Sequence, residues 1–208
     1  MNWKELLRST WVFDIARKLR TPMYYKRWLR ANCPHPPPGF VKHRILQEYA
    51  KRFPCDVFVE TGTFRGNTVS AMSRYFGEIH SIELNPVLAS RAQRIFKSDP
   101  HITIHQGDSS VILKDVLQQI GKKSVMFWLD GHYYAGVDKL VEDESPIIGE
   151  LEAIRQSGVD PVVVLVDDVR EFDGTRGYLS IDGLKAELDG LAKGRQFYHL
   201  DDIFRWHL

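Results

Sequence analysis

Cysteine is scarce in this chain. Cys33 and Cys55 are the only two in 208 residues, and they form no C-x-x-C pair. That excludes a disulfide framework and a thiolate zinc site as organising features, and a reducing compartment is the expectation. Long apolar runs are also lacking: no stretch approaches the roughly 18 residues of a membrane span. The N-terminus is interrupted by charge and has no apolar core of a signal peptide, so a cytoplasmic chain is expected. Excess charge is missing as well. Lys and Arg number 28 against 27 Asp and Glu, a formal net charge of +1, which disfavours nucleic acid as a partner. There is no G-x-G-x-x-G fingerprint, no internal repeat, and no low-complexity tract apart from one proline cluster.

Hydrophobic residues make up 43% of the chain, enough for one sizeable core and an appendage. The charge is unevenly spread. Residues 1–30 hold Lys4, Arg8, Arg17, Lys18, Arg20, Lys26, Arg27 and Arg30 against Glu5 and Asp14 alone. Leu6, Leu7, Trp11, Ile15 and Leu19 fall roughly at helical spacing among them. Two readings stay open for residues 1–31: a helix that packs on the domain or on a second subunit of a homo-oligomer, and a peripheral helix on an anionic membrane surface. Four prolines in the five positions 34–38 then exclude helix and strand. Residues 1–40 read as a basic helical extension with a stiff linker, and residues 41–208 as the globular domain.

Within that domain short apolar runs alternate with helical periodicity. Strands are predicted at residues 56–60, 79–84, 102–105, 125–129 and 162–166. Helices are predicted at 41–52, 67–76 with Asn67 as cap, from Pro86 onward, from Ser109 or Ser110 to Ile120, at 146–156 ended by Gly158, and at 181–191. The tail 196–208 reads as a hairpin. Strands separated by helical segments of about 10–15 residues indicate βαβ units and a parallel sheet, hence an α/β domain.

Ligands of open α/β sheets bind outside the carboxyl ends of the strands. Those ends carry Glu60, Glu83, Asp108, Asp130 and Asp167-Asp168. One buried carboxylate is commonly a cap, but five strand ends in succession call for chemistry. After the first strand, Glu60-Thr-Gly62-Thr63-Phe-Arg-Gly66-Asn-Thr68 forms a glycine loop that opens a helix, with backbone N–H groups free for a carboxylate or phosphate. Glu83 follows 23 residues after Glu60, in register to accept ribose hydroxyls. Asp108 is placed for an adenine amino group, for a helix cap, or for both.

The pattern E-x-G-x-x-x-G, then Ile-Glu, then Gly-Asp at successive strand ends resembles the class I S-adenosylmethionine-dependent methyltransferases, over about residues 41–208. That resemblance implies a Rossmann-like, doubly wound sheet of seven strands, mostly parallel with a C-terminal antiparallel hairpin. It implies that Glu60, Gly62 and Thr63 hold the methionine part of the cofactor, with Gly66 and Thr68 completing the loop. Glu83 would hold the ribose, and Asp108 with Ser109 the adenine. Many members have a further glycine where this chain has Thr63-Phe64.

On the acceptor side, neighbouring strand ends bring Asp130, Asp167 and Asp168 together. Crowded carboxylates call for a divalent cation, and hard oxygen ligands favour Mg²⁺, Mn²⁺ or Ca²⁺. Asp130 or His132 is the candidate base for an acceptor hydroxyl. This arrangement resembles the metal-dependent sugar O-methyltransferases of macrolide and aminocoumarin biosynthesis, which bind Mg²⁺ through matching acids; Leu-Asp-Gly-His also resembles an Asp-Gly-x-His loop of the wider family. The expected partner is a small-molecule or glycan acceptor. Competing readings are a catechol-type enzyme and a cofactor-binding module without turnover. Helix capping and an ion pair to Arg170 or Arg176 are the bland account of Asp167-Asp168. His80, His101 and His105 read as structural, Trp3, Trp11 and Trp28 as packing residues, and the long polar segment Tyr133–Ser145 either as a lid over the acceptor or as a mobile loop with no role.

Overall fold

The computed structural model describes residues 23–33, 36–131 and 145–208. Past a helical segment over residues 23–30, the elements are α1 (Gly39–Arg52), β1 (Val57–Thr61), α2 (Asn67–Met72), β2 (Glu78–Glu83), α3 (Pro86–Ile95), β3 (Ile102–Gln106) and α4 (Ser109–Ile120). They continue as β4 (Ser124–Leu129), α5 (Ile147–Ser157), β5 (Asp160–Val166), a 3-10 turn (Val169–Glu171), α6 (Ile181–Asp189), β6 (Gln196–Leu200) and β7 (Ile203–His207). The strands form one seven-stranded sheet in the order β3-β2-β1-β4-β5-β7-β6. β1 to β5 pair in parallel, and β7 runs antiparallel to both β5 and β6. The expected doubly wound sheet with a terminal hairpin is present.

Strand residues alternate between two apolar layers, as the period of two requires. Val57, Val59, Val125, Phe127, Val164 and Val166 face α4, α5 and α6. Phe58, Met126, Trp128, Val163 and Leu165 face α1 and α2. Both faces of the central strands are covered, which is why they read as unbroken apolar runs. Trp28 of the helical segment is buried and belongs to the second layer, with Val41 and Leu46 of α1. The rest of the basic extension, residues 1–22, lies outside the described residues. Among those described, no helix is long and apolar enough to cross a membrane, and both cysteines are free.

Local departures have local causes. α1 begins at Gly39, directly after Pro38, because proline suits the entry to a helix but not its interior. α2 stops at Met72 rather than at Phe76, and its cap is the left-handed Gly66 rather than Asn67. α4 is capped by Asp108, whose carboxylate accepts from Ser110 N–H, instead of by a serine. Asn85 caps α3 ahead of Pro86. Asp201 and Asp202, both at positive φ, form the two-residue turn of the hairpin, the backbone such turns need.

Candidate active site

The order of parallel strands reverses between β1 and β4, and the crevice of a doubly wound sheet opens at that switch point. The loop that follows β1 sits there. Gly62 has φ +89° and donates its N–H to Ile82 O at 2.9 Å. Gly66 has φ +72° and closes the turn on Thr63 O at 2.8 Å. The sharp turn expected from the glycines is present, but their close approaches are to protein: a Cβ on Gly62 would lie 2.5 Å from Asp130 O, and one on Gly66 would lie 2.8 Å from the Phe96 ring. Gly62 therefore lets the β1 loop press directly on the β4 end.

The acids at the ends of β1 and β2 serve the loop. Glu60 is buried and accepts from Ser81 Oγ at 2.5 Å, while Ser81 Oγ and Thr63 Oγ1 are 2.6 Å apart. Burial pushes the Glu60 carboxyl up to about 8, against hydrogen bonds from Ser81 and Thr68 that favour the ionised form. Glu83 accepts from Phe64 N–H at 2.6 Å and from Asn85 N–H at 2.9 Å, tying β2 to the glycine loop. Asp108 accepts from Ser110 N–H and Oγ at 2.9 and 2.7 Å. Ser109 is buried and donates to Glu150 Oε1 at 2.5 Å.

Glu150 is a residue the sequence reading missed. It lies on α5, is 1% exposed, and receives a hydrogen bond from Ser109. Burial pushes its carboxyl up to about 7. With Asp130, Asp167, Asp168, Phe172 and Tyr178 it lines a cavity at the carboxyl ends of β4 and β5. Its spacing was informative: Ile147, Glu150, Leu151 and Ile154 form one helical stripe, and all four are buried.

The acids Asp130, Asp167 and Asp168 do converge. Ligand oxygens of Asp130, Asp167 and Asp168 all lie within 4.8 Å of one another. Strand parity explains part of this, since Asp130 and Asp167 continue the β4 and β5 residues that face α1. Asp168 takes a left-handed conformation at φ +58°. It pairs with Arg170 Nη1 at 2.8 Å, as the bland account expected, but it makes no side-chain capping bond to the 3-10 turn. Arg170 is in turn held by Asp202, through its N–H at 3.0 Å and through an ion pair. Burial, followed by the neighbouring Asp167, pushes Asp130 well above the usual carboxylate range. Asp167 is also raised by burial, although the Lys42 charge opposes the shift.

A second missed residue is Lys42. It reaches from α1 to pair with Asp167 and lies 3.6 Å from Asp168 Oδ1. Burial alone would lower its ammonium, but the charges of Asp167, Asp130 and Asp168 prevail and hold it above its ordinary value. Even so, Asp167 Oδ1 is buried with no hydrogen-bond partner among the described residues. Three hard carboxylates, one with an orphaned oxygen, are a donor set that fits a divalent cation. His132 and residues 133–144 of the polar loop lie outside the described residues.

No protein-family model matches this chain, and no curated protein sequence matches it. Solved structures do match. The S-adenosylhomocysteine-bound methyltransferase PaMTH1 of Podospora anserina is similar at 15% identity and a TM-score of 0.58, over 100% of this chain and 96% of that one. A candidate caffeoyl-CoA O-methyltransferase of Staphylococcus aureus is similar at 12% identity and 0.54, over 97% and 99%. The N-methyltransferase NodS of Bradyrhizobium japonicum is similar at 12% and 0.52, over 79% and 93%. At these identities the likeness shows the fold, and the fold of this chain is that of the class I S-adenosylmethionine-dependent methyltransferases.

Proposed function

We propose that this chain is an S-adenosylmethionine-dependent O-methyltransferase that uses a divalent cation, Mg²⁺ in the first instance, to methylate a sugar or glycan hydroxyl. The observation that carries this is the convergence of Asp130, Asp167 and Asp168 beside the switch-point loop, with an orphaned oxygen on Asp167. S-adenosylmethionine supplies a methyl group already activated on sulfur. Glu60, Gly62, Thr63, Gly66 and Thr68 would shape its methionine end. Glu83 would accept from the ribose, and Asp108 with Ser109 would face the adenine. The protein's remaining task is to bind an acceptor, exclude water and remove one proton.

A divalent cation, held by Asp130, Asp167 and Asp168, would make the acceptor hydroxyl more acidic. Asp130 and His132 remain the candidates for taking that proton. A catechol-type acceptor offers the same pair of adjacent oxygens, and the likeness to the Staphylococcus aureus protein favours testing it beside the sugars.

The test is transfer of labelled methyl from S-adenosylmethionine to panels of sugars, glycosides and catechols, with Mg²⁺ or EDTA, for wild type and Asp167→Ala. Transfer to a glycoside that stops with EDTA and in the variant is expected. Turnover that survives both would remove the cation from the mechanism, and turnover on catechols alone would reassign the acceptor.

A further inference from the structure

The acidic cluster already holds a cation, and that cation belongs to the chain. Lys42 lies one helical turn before Ile45 and Leu46 on the buried side of α1, so its stem is packed and its ammonium emerges at the carboxyl ends of β4 and β5. The side chain is 17% exposed, and its Nζ pairs with Asp167 Oδ2 and lies within 4.0 Å of Asp168. Arg170 does not play the same part. It is 38% exposed and is anchored to Asp202 on the hairpin turn as well as to Asp168. Lys42 is therefore the cation set on Asp167, the residue whose other oxygen has no partner.

A divalent ion bonded to carboxylate oxygens sits about 2.0–2.6 Å from each. Placed among these three residues, it would lie within a few ångströms of the Lys42 ammonium. Two cations that close, in a partly buried place, repel strongly. A lysine suits an exchange of this kind, because its charge is compact and well hydrated and its stem has several rotatable bonds.

We propose that Lys42 is a displaceable internal counter-cation: it neutralises Asp167 in the metal-free chain and competes with a divalent cation for the Asp130–Asp167–Asp168 cluster, leaving when the ion enters. This rests on the cation-dependent reading above and adds a residue to it.

Mn²⁺ alone is the probe, titrated into the full chain without cofactor or acceptor and followed by the electron paramagnetic resonance of the free ion. Lys42→Met keeps the stem and removes the charge, and should bind Mn²⁺ tighter than wild type by about tenfold or more, the scale of one like charge removed from such a site. Lys42→Arg keeps the charge and should not tighten binding. Asp167→Asn should weaken it in either background. Should Lys42→Met fail to fold, Lys42→Gln carries the same expectation. Equal or weaker binding by the uncharged variant, with wild type still binding, overturns the exchange alone. Equal tightening by Lys42→Arg overturns it too, since charge would not be the cause. Absence of Mn²⁺ binding in wild type and in the uncharged variant overturns the cation site and the exchange together.

Discussion

Gly62 carries the severest steric constraint among the described glycines. A Cβ there would come within 2.5 Å of a backbone oxygen, and its φ of +89° strains any other residue. Neither the Asp130 carbonyl nor the β4 end it belongs to can yield without moving the acidic cluster. Gly62→Ala should therefore cost about 2 kcal/mol or more of stability, read as a lower melting midpoint, and should weaken S-adenosylhomocysteine binding in whatever fraction folds. An unchanged midpoint would mean that the loop does not press on β4 as described. At this scale the sequence was partly legible. The acids and the glycines announced themselves by position. Lys42 and Glu150 did not, because a lone lysine or glutamate in a helix reads as surface. Each in fact sits on its helix's apolar stripe, Lys42 ahead of Ile45, Leu46 and Tyr49, and Glu150 between Ile147 and Leu151. The stripe was readable; what it faces depends on the other elements, which local pattern does not contain.

At the scale of elements, α4 and α5 meet at the site. A Cβ on Gly149 of α5 would lie 2.7 Å from the Ser110 side chain of α4, and the Ser109–Glu150 hydrogen bond of 2.5 Å crosses the same contact. Glu150 therefore joins the start of α4 to the cavity lined by Asp130, Asp167 and Asp168. Its carboxyl is raised from 4.5 to about 7, so the ionised form is the costly one in the folded chain. The folded state then holds a proton that the unfolded chain releases at lower pH. Stability from this group is full below about 4.5 and is lost as pH rises through about 7. Relative to Glu150→Gln, wild type should lose stability between about pH 5 and 7.5, with a slope approaching about 1.4 kcal/mol per pH unit. Denaturant melts of both chains across that range check it, and a difference independent of pH would contradict it. Strands and helices were legible because parallel strands buried on both faces leave continuous apolar runs. The bound that moved is the end of α2, at Met72 instead of Phe76, while α2 and α4 start where expected behind Gly66 and Asp108 as caps.

At the scale of the whole molecule, the strand order places every acid singled out in the sequence along one edge of the sheet. The switch between β1 and β4 puts Glu60 and Glu83 on one side and the Asp130, Asp167 and Asp168 cluster on the other. A site divided in this way suits a donor and an acceptor that meet over the switch point. The reversed pairing of β7 against β5 brings the hairpin turn to the same region, where Asp202 holds Arg170 and Arg170 holds Asp168. That long-range brace was not legible, since it joins residues 32 positions apart through a tail that read only as a hairpin. Trp28, by contrast, packs on the domain as a packing residue should. The most direct measurement is a calorimetric titration of the purified chain with S-adenosylhomocysteine, for wild type and Glu83→Ala. One site per chain with a dissociation constant in about the micromolar range, weakened about tenfold or more in the variant as a paired ribose hydrogen bond to a charged group is lost, is the expected result; no binding by wild type at millimolar ligand would contradict it.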